Sequence, residues 1–165
     1  METQLMQNYI YDAEQAIIQE QYLEGKAILE EALSIEPGLA KAHNHMGWLY
    51  LFHLNDHNAA EYHLRLAMKC EPEYGSPYLH LTTLLLERGA FDDVREILDK
   101  ALDLKDLNKA SVYYDYGRYY ETMGKFNKAI KKYKEAIRHS MDHDEITLFR
   151  GNIKRCRIKW FLPFI

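Results

Sequence analysis

Histidines, cysteines, paired acids and tyrosines are the side chains here with chemistry to offer. There are eight histidines: His43, His45, His53, His57, His63, His80, His139 and His143. His139 and His143 stand four apart, as do His53 and His57, a spacing at which two imidazoles on one helix can share a metal. The first pair is expected to be split by a helix end and the second to straddle a turn. Neither brings a cysteine or carboxylate at ligand spacing. The histidines are therefore read as solvated side chains, and no metal is expected. Cys70 and Cys156 match no metal or redox spacing and are read as reduced thiols. Asp92 and Asp93 open a helical stretch, where they charge its N-terminus. There is no phosphate loop, nucleophile elbow, metalloprotease helix motif or dinucleotide turn. The expectation is a protein without catalysis and without a cofactor.

The tyrosines offer binding chemistry. "YYDYGRYYETMGKFNKAIKKYKEAI", from Tyr113 to Ile137, holds six of the thirteen. Tyr113, Tyr116, Gly117 and Tyr120 recur at i, i+3, i+4 and i+7, the signature of one helix face. Phe126, Ala129, Ile130, Tyr133, Ala136 and Ile137 form a second such stripe. Large rings beside small residues predict two helices crossing closely. Tyr114, Arg118 and Glu121 make a separate stripe, because neighbouring helical residues point about 100° apart. Tyr and Arg are among the residue types that dominate binding hot spots.

The elements that carry these residues repeat. Ala32, Ala67, Ala101 and Ala136 recur at steps of 35, 34 and 35 residues. The residue opening each second helix follows suit, as Tyr22, His57, Phe91 and Phe126. So does its small neighbour three residues on, as Gly25, Ala60, Val94 and Ala129. In the first helices Ala13, Gly47, Thr82 and Gly117 line up, and Pro37 and Pro72 close the first two copies. Copy two carries one extra residue in its inter-helix turn, within "HLNDHNAA".

With two helices per period of about 34, the chain resembles the tetratricopeptide repeat family from about Leu5 to Met141. The resemblance implies an all-α solenoid of about four helix-turn-helix repeats, approximately 5–38, 39–73, 74–108 and 109–142. A capping helix follows at approximately 143–160, then an apolar tail at 160–165, the whole forming a single domain over 1–165. On the last helix Ile146, Phe149, Ile153 and Cys156 are spaced to pack inward. Arg150, Lys154, Arg155, Arg157 and Lys159 are expected on its outer face.

The resemblance also implies a concave groove, lined by the first helix of each repeat, that takes a peptide or protein segment. The positions that face it in the family fall here on Asn44, His45, Trp48, His80, Tyr114 and Arg118. The residues that would grip a terminal carboxylate in chaperone-binding members are absent in either frame: Ile10, Glu14, His45, Ser76 and His80, or Asn44, Trp48, His80, Ser111 and Asp115. Chaperone C-terminal tails are therefore not expected as ligands.

Bulk properties narrow the partners. A net charge of −4 disfavours general nucleic-acid binding. No stretch approaches the roughly 18 apolar residues of a membrane span. "METQLMQNYIYDAEQ" lacks the basic start and apolar run of a signal peptide, so the cytoplasm is the expected compartment. The ending "KWFLPFI" is too short for stable membrane anchoring. Three readings of it stand: folding back onto the last helix or groove of its own chain, insertion into another copy, or contact with an anionic membrane surface. The second sets up an alternative to partner binding: self-assembly into a homo-oligomer, with Trp160, Phe161, Leu162, Phe164 and Ile165 as the docking segment.

Overall fold

The computed structural model describes residues 2–162, with side chains from Gln4 onward; Phe164 and Ile165 of the proposed docking segment lie outside it. Among the described residues there are nine α-helices: α1 (Glu2–Ile18), α2 (Tyr22–Ile35), α3 (Ala40–Phe52), α4 (His57–Cys70), α5 (Ser76–Arg88), α6 (Phe91–Asp103), α7 (Lys109–Thr122), α8 (Phe126–His139) and α9 (His143–Phe161). The chain divides within α5 into two compact units, residues 1–84 and 85–165.

In the first unit α1 pairs with α2 and α3 with α4, and in the second α7 pairs with α8, as hairpins. The turns after α1, α3, α5 and α7 each place one residue in left-handed backbone. These are Glu20 (φ 61°), Asn55 (φ 53°), Gly89 (φ 71°) and Gly124 (φ 70°). At three turns the following amide reaches back five residues, Gln21 to Ala16, Ala90 to Leu85 and Lys125 to Tyr120. This is the bond pattern of a Schellman ending, which turns the chain sharply without a side-chain cap. The extra residue of copy two changes the device. Asn55 takes the left-handed position, and the Asp56 carboxylate caps α4 by accepting from the amides of Asn58 and Ala59 at 3.1 and 3.0 Å.

In the first unit α1 packs on α2, α2 on α3 and α3 on α4. Ile10, Ala13, Leu29, Ala42, Met46 and Leu49 form the core, removed from water at roughly 25 cal/mol per Å² of apolar surface. In the second unit α6 packs on α7, α7 on α8 and α8 on α9. Tyr133 is fully buried there, with Ala129, Ile130, Ile153 and Cys156 around it. It lies directly over Gly117: a Cβ at that position would come within 3.0 Å of three atoms of the Tyr133 ring. The large ring and the missing side chain are one feature, a close helix crossing bought by glycine.

The last helix begins at an Asp142 cap that accepts from the Glu145 amide at 2.8 Å. Phe149, Ile153 and Cys156 are buried, as their spacing predicts, whereas Ile146, in the first turn, is only half-buried. Two of its cations depart from expectation. Arg155 and Lys159 turn toward Glu121 on α7 instead of lying on an outer face.

Candidate functional site

The helical register of α3 and α5 brings Asn44, His45, Trp48 and His80 to one cavity of about 420 Å³ in the first unit. Ile17 and Ile18 from the end of α1 supply apolar wall, and Glu14, Tyr74 and Ser76 complete the lining. Trp48 is half-buried. One part of it packs on the core, and its ring lies 4.6 Å from His53 and 5.7 Å from Phe52.

The cavity floor is a hydrogen-bonded chain. Asn44 Nδ2 donates to the Tyr74 hydroxyl at 3.1 Å, and His80 Nδ1 lies 3.0 Å from Asn44 Oδ1. With the Asn44 amide so oriented, His80 must donate from Nδ1, which leaves Nε2 as an acceptor. Burial, with His45 nearby, pushes the His80 pKa down to about 4, so the ring is neutral near pH 7. Beside it His45 Nε2 meets the Glu14 carboxylate at 3.1 Å. Burial lowers the His45 pKa while Glu14 opposes the shift. The lining therefore offers apolar surface, neutral hydrogen-bonding groups and one carboxylate, with no lysine or arginine.

Tyr114 and Arg118 lie in the second unit. The Tyr114 ring packs against Phe149 of α9 at 5.3 Å and Tyr133 at 6.0 Å. Arg118 sits over the Tyr114 ring at 5.8 Å and donates to Asp115 at 3.0 Å. Burial raises the Asp115 pKa to about 6 despite that guanidinium. Arg118 also lines a second cavity of about 450 Å³ with Glu121, Thr122, Arg155 and Lys159.

Sequence reasoning missed Tyr74, Ile17 and Ile18. Tyr74 sits in the loop before α5, where helical spacing carries no information, and the two isoleucines close α1 beyond its recurring positions. The reading of all histidines as solvated also needs correction. His43 is 6% exposed, with Nδ1 2.9 Å from His63 Nδ1 and Nε2 3.0 Å from the Pro37 carbonyl. Among the described residues no three His, Cys, Asp or Glu side chains group as metal ligands.

The described helices define an all-α helical-repeat fold. Residues 110–143 match the tetratricopeptide repeat family model. The pilF protein of Pseudomonas aeruginosa aligns at a TM-score of 0.83 and 16% identity, over 98% of this chain and 72% of that one. PilW, a type IV pilus biogenesis factor, aligns at 0.78 and 18%, over 96% and 77%. YrrB, a TPR protein with an unusual peptide-binding site, aligns at 0.67 and 17%, over 93% and 83%. The chain thus has the fold of tetratricopeptide-repeat proteins, which generally serve as scaffolds for protein interaction. No described helix is long and apolar enough to cross a membrane.

Proposed function

We propose that this protein is a non-catalytic scaffold or adaptor that holds a peptide segment of a partner protein in the first-unit cavity. The observation that carries the reading is the convergence of Asn44, His45, Trp48 and His80 on one cavity with a neutral, pre-ordered floor. A cavity of apolar wall with a few placed polar groups is the usual form of a ligand site. Trp48 supplies the anchor surface. Asn44, Tyr74 and His80 supply partners for a peptide backbone. A lining with a carboxylate and no fixed cation supports the expectation against carboxylate-terminated chaperone tails. It favours segments with an aliphatic or aromatic anchor and no acid beside it. In the second unit, Tyr114 and Arg118 would offer a contact surface of their own. Two free cysteines suit a reducing compartment such as the cytoplasm.

The test is a display selection of random peptides on the intact chain, followed by titration of the winners. Selected peptides are expected to be apolar and non-acidic, and to lose at least about tenfold in affinity, roughly 1.4 kcal/mol, on Trp48→Ala or His80→Ala. Winners that bind both variants as tightly as the natural chain would overturn the assignment.

A further inference from the structure

A larger groove, about 790 Å³, lies on the first unit and shares Glu14 with the cavity of Trp48 and His80. Its apolar wall includes Ile10, Tyr11 and Ile35, and Tyr11 and Ile35 are 60% and 45% exposed. Glu14, Glu36 and Glu71 line it against a single lysine, Lys41. The first unit as a whole is acidic. Residues 1–84 carry 4 Lys and Arg against 12 Asp and Glu, a net of −8, while residues 85–165 carry 17 against 13, a net of +4.

The surface of α9 that faces away from its buried stripe has the opposite character. Lys154, Ile158 and Phe161 fall at i, i+4 and i+7, all exposed, and Arg157 flanks them. Ile158 and Phe161 are 56% and 63% exposed, and Gly151 leaves open space one turn before Lys154. The helix carries five cations (Arg150, Lys154, Arg155, Arg157 and Lys159) against Asp144 and Glu145, a net of +3. A basic and apolar stripe on one element thus complements an acidic and apolar groove on another element of the same chain.

We infer that the outward stripe of α9 docks into the groove of a second copy. The inference goes beyond partner binding at Trp48 and His80 and, Glu14 apart, uses different residues. Such a contact pairs two unlike surfaces, so it is heterologous and yields either a closed ring or an open chain. Its polar rim makes association weaken with salt.

Sedimentation velocity on the whole chain tests this. The weight-average mass is expected to rise with concentration at low salt, by about twofold or more, and to fall back at high salt. Lys154→Glu with Arg157→Glu on the stripe, or Glu36→Lys with Glu71→Lys in the groove, should each leave a monomer. Mixing the two doubly substituted chains should restore association, because each reversed surface then meets its complement. All four positions are exposed, and unchanged circular dichroism would show that the variants fold. A monomer under all conditions overturns the inference. So does association that survives both substitutions, or a mixture that stays monomeric. Binding to phosphatidylserine vesicles without self-association would overturn it in favour of a membrane surface.

Discussion

The Glu121 carboxylate receives both arms of the Arg155 guanidinium, Nε to Oε1 and Nη2 to Oε2, each at 2.7 Å. Lys159 adds a third donor at 3.0 Å and the buried Tyr133 hydroxyl a fourth at 2.9 Å. Residues 34 and 38 positions apart are thereby tied, and α9 is fixed to the close crossing of α7 and α8. Burial alone would raise the Glu121 pKa. The donors overcome it and hold the carboxyl at about 2.

Removing the charge while keeping the shape tests this arrangement. Glu121→Gln leaves Arg155 and Lys159 without their anion and weakens the bond to Tyr133. The side chain of Arg155 is 49% exposed, so water recovers part of the loss. The expected cost is about 1–3 kcal/mol, below that of breaking a fully buried pair. Hydrogen exchange should rise in α9 more than in α6. Equal protection of α9 in the natural and substituted chains would refute its role as anchor.

Gly117→Ala probes the crossing beneath. The new methyl group would enter the space of the Tyr133 ring, which is fully buried and held at its hydroxyl by Glu121. Overpacking at such a site costs about 1–3 kcal/mol. Urea denaturation should show a lower midpoint with an unchanged slope. Gly151→Ala on α9, where a Cβ meets nothing within 4 Å, is the control and should be neutral or stabilising.

These two sites mark what the sequence makes legible. Positions that recur every 34 or 35 residues report helix packing, so the pairing of Gly117 with Tyr133's helix and the inward face of Phe149, Ile153 and Cys156 could be read from spacing. Partner choice among polar groups could not. Arg155 and Lys159 share a helix with Lys154 and Arg157 and differ from them only in rotation about the axis. Spacing does not reveal that Glu121 waits on one side. Tyr74 completes the Asn44 and His80 chain from a loop, and His43 finds His63 across a hairpin, where no periodicity applies. Local pattern fixes which face a residue shares, whereas hydrogen-bond partners depend on how whole helices are placed.

Thr82 occupies the small-residue position where Gly47 and Gly117 stand in other copies. It is fully buried, and among the described residues its hydroxyl has no hydrogen-bond partner. Replacing an unsatisfied hydroxyl by a methyl group of the same shape removes a desolvation penalty. Thr82→Val should therefore raise stability, by up to about 1 kcal/mol, and a clear drop in melting temperature would contradict it.

Acid should act differently on the two units. In the first, burial holds the His63 and His80 pKa values at about 4, against an ordinary 6.5, and the neighbouring His43 and His45 reinforce the two shifts. A histidine with a lowered folded pKa binds fewer protons folded than unfolded, so it costs nothing at pH 7 and destabilises progressively as pH falls from about 6.5 to 4. The full shift amounts to about 3 kcal/mol for the well-buried His80 over that window, and to less for His63, whose greater exposure lets water screen it. In the second unit Asp115 runs the other way. Its pKa is raised from 3.8 to about 6, so the folded state binds the extra proton and gains stability as pH falls through 6. Glu121, held at about 2, keeps its contribution down to pH 4.5 and loses it only below that. Between pH 7 and 5, hydrogen exchange corrected for intrinsic rates should thus show protection falling in α3 and α4 and held or rising in α7 and α8. Replacing His63 by Phe should blunt the acid response of the first unit. Protection falling equally in both units would show that these buried groups do not govern it.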